Sequence, residues 1–84
     1  MNAKELFKEA GYPFFKEFHD SIVFSNDRGI EEMNYYLESI YIEISKDGSV
    51  QAYIHDEDYD ASLELDLKTI LAITQQLREW NLIE

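Results

Sequence analysis

Ser39-Ile40-Tyr41-Ile42-Glu43-Ile44-Ser45-Lys46-Asp47-Gly48-Ser49-Val50-Gln51-Ala52-Tyr53-Ile54-His55 decides the fold of this chain. Ile40, Ile42 and Ile44 alternate with Tyr41 and Glu43, the period of two that turns one face of a strand toward a core. Lys46-Asp47-Gly48-Ser49 is a turn signal, and Val50, Ala52 and Ile54 then alternate with Gln51, Tyr53 and His55. The stretch predicts a β-hairpin over 39–55 that forms the middle of a sheet. Tyr41 and Tyr53 fall on its outward face, where they either cover the second side of the sheet or offer rigid contact area to a partner.

Working back toward the N-terminus, Asp20-Ser21-Ile22-Val23-Phe24-Ser25 is a β-branched and aromatic run closed by Asn26-Asp27-Arg28-Gly29, hence a strand and a turn. Tyr12 to His19 carries Tyr12, Phe14, Phe15 and Phe18, an aromatic density suited to a further strand or a packed crossing. Ile30 to Glu38 is ambiguous: Ile30, Met33 and Leu37 have helical spacing, while Tyr35 and Leu37 could begin the next strand. One helical turn is the reading adopted. At the start, Asn2 and Glu5 have capping-box spacing, Leu6, Phe7 and Ala10 share a face, and Gly11 with Pro13 ends the helix, giving an amphipathic helix over 3–10.

Downstream of the hairpin, Leu63 and Leu65 alternate with Glu64 and Asp66 in a possible edge strand. Asp66 stands at an N-cap position, and Ile70, Ile73, Leu77 and Trp80, with Leu67 and Leu71, form an apolar stripe across 67–80 that Asn81 ends. The expected fold is α+β, a small antiparallel sheet of three to four strands packed against an N-terminal and a C-terminal helix.

With 84 residues there is room for one domain, 1–84, and 45% hydrophobic residues supply it with a core. Cysteine is absent, which removes disulfides and thiolate metal sites and suits a reducing cytoplasm. The first residues lack the apolar core of a secretory signal, and no apolar run approaches the ~20 residues that cross a bilayer. Against 18 Asp and Glu stand 7 Lys and Arg, a net charge of −11. Such a field repels phosphate backbones and anionic membranes and hastens encounter with basic surfaces, although it also serves solubility alone.

The acidity peaks in His55-Asp-Glu-Asp-Tyr-Asp-Ala-Ser-Leu-Glu-Leu-Asp66, six carboxylates in a dozen residues without a Lys or Arg. Asp56, Asp58 and Asp60 imitate the first ligands of a calcium loop, but Ala61 replaces the turn glycine and Leu67 the bidentate glutamate. A loose cation site and a solvated loop are the remaining local readings. Asp20-Ser21-Ile22 faintly echoes the attachment site of acyl carrier proteins, yet Ser21 opens a strand and the fold is not all-helical. His19 and His55, placed at strand ends on the surface, have no local partner at metal-ligand spacing. No nucleophile motif or phosphate-binding glycine loop is present, so neither an enzyme nor a cofactor is expected.

Ala3-Lys4-Glu5-Leu6-Phe7-Lys8-Glu9-Ala10-Gly11-Tyr12 resembles the opening of a group of small acidic phage and prophage proteins of Gram-positive bacteria. Ala72-Ile73-Thr74-Gln75-Gln76-Leu77-Arg78-Glu79, with the closing Leu82-Ile83, is similar to their C-terminal helix, and 20–24 and 40–44 occupy the places of their strands. The group includes a type II-A anti-CRISPR protein of listerial prophages. Trp80-Asn81 departs from the usual Gly-Trp, and 28–38 looks like an insertion.

The resemblance implies a non-enzymatic inhibitor acting in the cytoplasm of a bacterial host, a DNA mimic that occupies the PAM-binding surface of a type II CRISPR nuclease without touching nucleic acid or membrane. Bidentate Arg–carboxylate pairs would carry such an interface. Asp56, Glu57, Asp58, Asp60, Glu64 and Asp66 are the candidate partner-binding residues, with Tyr59 as an anchor. An immunity or antitoxin-like protein that neutralises a basic toxin, and a prophage accessory domain with no defence role, are the alternatives.

Overall fold

The computed structural model describes residues 1–33, 39–55 and 64–84, with only the backbone of His55. Helix α1 spans Ala3–Glu9, followed by β1 (Phe14–Glu17) and β2 (Ser21–Ser25), a 3-10 helix (Arg28–Glu32), β3 (Ser39–Ser45), β4 (Val50–His55) and helix α2 (Leu67–Glu79). The strands form one antiparallel sheet in the order β1-β2-β3-β4, so each pairs with its neighbour in sequence. This is the α+β architecture that the hairpin and the two helical patterns predict.

Both helices sit on the same side of the sheet. Phe7 of α1 stacks on Phe24 of β2 with ring centroids 3.7 Å apart. Around that pair Ile22, Ile42, Ile44, Ala72 and Ile73 complete the buried core, with Leu6, Phe15, Leu77 and Trp80 half-buried at its edge. Each fully buried side chain of this size contributes about 1.5–3 kcal/mol of transfer free energy, so the cluster is the dominant stabilising feature of the fold.

The second face of the sheet is covered too. Asp27 caps the 3-10 helix by accepting from the Gly29 N–H at 2.8 Å, and its other carboxylate oxygen accepts from the Ser39 hydroxyl at 2.9 Å. Asn26 accepts from the Ile40 N–H at 2.9 Å. These bonds fold the turn back over the strands and seat Ile30 against Val23 and Tyr41, with Phe14 beside them. Strand β2 is thereby apolar on both faces, which explains its unbroken Ile-Val-Phe run.

Four expectations change. The turn placed at 26–29 is the cap and start of the 3-10 helix, which takes the helical turn expected in 30–38 back to Arg28–Glu32; the rest of that segment, Asn34 to Glu38, lies outside the described residues. Tyr41 keeps its expected place on the outward face of the hairpin, but of the two roles open to it there only covering the sheet holds: it is fully buried in the second cluster because the 3-10 helix lies over it. Residues 64–66 form no strand, and Leu63 lies outside the described residues.

The fourth concerns α2, whose buried face consists of Thr69, Ala72, Ile73 and Gln76, while Leu67, Ile70 and Leu71 are 69%, 47% and 52% exposed. The cause is close approach of the two helices. Ala3 and Ala72 are both fully buried, and small side chains at such positions let two helix backbones come together. The Ala3 N–H donates to the Glu79 carboxylate at 2.7 Å, so a side chain from the end of α2 caps the start of α1.

Candidate acidic interface

The acidic stretch is bounded by two well-formed elements. Strand β4 delivers the chain to His55 through an in-register ladder in which Ser39 faces His55, Tyr41 faces Tyr53 and Glu43 faces Gln51. At the other end Asp66 caps α2: one carboxylate oxygen accepts from the Thr69 N–H at 2.9 Å and from the Thr69 hydroxyl at 2.7 Å. The same two bonds let Thr69 be buried without an unsatisfied hydroxyl. Asp66 thus ionises more readily than an ordinary aspartate: the Thr69 hydroxyl bond is the largest cause, the Thr69 backbone bond the next, and Lys68 adds a smaller Coulombic contribution.

Of the candidate partner-binding residues, Asp56, Glu57, Asp58, Tyr59 and Asp60 lie outside the described residues. Glu64 is exposed one turn before the helix, and Asp66, also exposed, is committed through one oxygen to the cap. The structure therefore brings Glu64 and Asp66 together at the start of α2, beside Leu65, which packs against the main core.

Immediately after them comes a feature that periodicity alone misassigns. Leu67, Ile70 and Leu71 form an exposed apolar strip on the outer side of α2. Hydropathy places these residues in the core; only the phase of the helix, with Ala72 and Ile73 packed into the main core, shows that they face outward. An acidic segment leading into an exposed apolar strip has the composition of a polar rim beside an apolar centre.

The other candidates fare differently. Tyr53 is 37% exposed and stacks on Tyr41 at 5.5 Å, so only the outer of the two hairpin tyrosines reaches solvent. His19 lies in the β1–β2 turn with a 97% exposed side chain, 3.7 Å from Asp20. Among the described residues no three or more His, Asp or Glu side chains converge as metal ligands would, and no helix is long and apolar enough to cross a membrane. In the hairpin turn Asp47 accepts from the Ser49 hydroxyl and, at 2.8 Å, from its N–H, which holds the Asp47 carboxyl below its usual range.

No family model, curated protein or solved structure matches the chain.

Proposed function

We propose that this chain is a non-enzymatic anti-defence protein of phage or prophage origin, an anti-CRISPR inhibitor that works in the bacterial cytoplasm by laying an acidic surface over the PAM-binding site of an RNA-guided nuclease. The observation that carries the reading is charge that cannot be neutralised internally. Even if every Lys and Arg were paired, a net charge of −11 would remain. A surface of that kind meets Arg and Lys clusters through charge-assisted, bidentate bonds and is steered to them over distances of about a Debye length.

Two structural features support it. Both flanks of the acidic stretch are well formed, β4 ending at His55 and Asp66 capping the start of α2, so its two ends stand on a rigid body. The apolar strip of Leu67, Ile70 and Leu71 supplies contact area that does not depend on charge.

The test is triple reversal, Asp56→Lys, Asp58→Lys and Asp60→Lys, with binding to a purified type II nuclease and inhibition of its DNA cleavage as readouts. The expected outcome is an unchanged thermal midpoint, a loss of affinity of at least ~100-fold, and a parent interaction that weakens as salt rises from about 0.05 to 0.5 M. Unchanged binding by the reversed protein sinks the DNA-mimic reading. Capture of a basic toxin instead, with no effect on the nuclease, favours the immunity-protein alternative.

A further inference from the structure

At the end of the sheet away from His55, a cleft of about 180 Å³ opens between the start of α1, the β1–β2 turn, the β3–β4 turn and the last turns of α2. Its polar lining is unusual for so acidic a chain. Lys4 and Lys46 both border it, two of only 7 cations in the sequence. Lys4 is bridged to Glu17 at 2.9 Å and lies over the Phe15 ring. Lys46 lies 5.7 Å from the centre of the Trp80 ring and forms no ion pair among the described residues. The lining therefore carries one cation in excess, since Lys4 and Glu17 cancel.

Gln76 is the second observation. It is 5% exposed and lines the cleft; its side-chain amide makes no hydrogen bond among the described residues and is not closed off from solvent, so a group entering the cleft can reach it. Ser21 adds a hydroxyl to the same wall, and Phe18 and Trp80 give it apolar sides.

We propose that this cleft is a binding site for a small organic monocarboxylate with a flat apolar body. The carboxylate takes the Lys46 ammonium, the Gln76 amide N–H and the Ser21 hydroxyl; the body lies against Trp80 and Phe18. One excess cation balances one negative charge, and a dianion would leave charge uncompensated inside a field that is already strongly negative. The volume corresponds to roughly six waters, below the ~300–1,000 Å³ of sites that take nucleotide- or drug-sized ligands, so the ligand is a single ring or a short chain.

Benzoate is the probe. Titrating it into the isotope-labelled chain, with the Gln76 side-chain amide and the Trp80 indole N–H followed by NMR, should give saturable shifts with a Kd on the order of 1 mM. Lys46→Gln, at an exposed turn position, and Gln76→Met, which keeps the buried volume, should each weaken binding by at least ~10-fold while the remaining spectrum stays native. Benzylamine, the same ring with a cationic head, should produce no such shifts. Shifts that do not saturate, a Lys46→Gln protein that titrates like the parent, or inorganic phosphate binding as well as benzoate would each overturn the proposal.

Discussion

Asp66 closes the acidic stretch and opens a helix, and its two roles respond to pH in the same direction. Thr69 holds its carboxyl below the usual aspartate range, so the ionised form is favoured in the folded state. The sign follows from linkage: the contribution is complete above the unfolded aspartate value and is lost as pH falls through the lowered folded value. Asp66→Asn keeps a competent cap without a titrating group. Thermal midpoints compared from about pH 5 to pH 2.5 should show the parent losing more stability than the variant; parallel curves would disprove the assignment. Tyr12 works at the other extreme. Burial is the main cause that raises its phenol, so its contribution is complete below the unfolded tyrosine value and lost as pH climbs through the raised one. At this scale the sequence was readable wherever a side chain acts on its own backbone, as with Asn2, whose side chain accepts from the Glu5 N–H at 2.8 Å, and Asp66. It was unreadable for Tyr41, whose burial depends on a turn that Asp27 folds back from outside the strand.

Among the elements, α2 is the instructive case. Its existence, start and stop were legible from the Asp66 cap, the apolar spacing and Asn81, which adopts a left-handed φ of 59° after the last turn. Its orientation was legible in part: Ile73, Leu77 and Trp80 of the expected stripe pack in or against the core, while Leu67, Ile70 and Leu71 face outward and Thr69, Ala72 and Gln76 are buried in their place. Close contact with α1 favours this phase, because a small buried side chain such as Ala72 permits an approach that leucine would block. Among the described residues the outer strip belongs to neither buried cluster. Replacing Ile70 and Leu71 with Ser should change stability by less than ~1 kcal/mol, as for other exposed positions. The same pair should weaken partner binding by about 10-fold or more if the strip forms the apolar centre of the interface. Denaturant midpoints and affinity measured on the one protein check both halves.

For the molecule as a whole, the hairpin pattern was sufficient to anticipate a sheet of sequential neighbours, because alternation and turn residues are local signals. The acidic stretch was equally plain as composition. The cleft was not, since Lys4, Ser21, Lys46 and Gln76 come from separate parts of the chain and nothing in their spacing links them. Nor was the joining of the two helices, where Ala3 and Glu79 meet across 76 residues of chain.

That last contact governs the order in which the structure can form. Every strand pairing in the meander joins neighbours in sequence, whereas docking of α1 on α2 must close a loop almost as long as the chain, a step whose entropy favours a late event. A change in the hairpin should therefore slow folding, and one at the helix contact should quicken unfolding. Ile42→Val and Ile73→Val each remove one methylene, worth about 0.5–1.5 kcal/mol. Stopped-flow measurements should assign the first mainly to the folding rate and the second to an unfolding rate raised by about fivefold per kcal/mol. In this protein the two helices act as a clasp: its strength sets how long the native molecule lasts, while the sheet sets how quickly it appears.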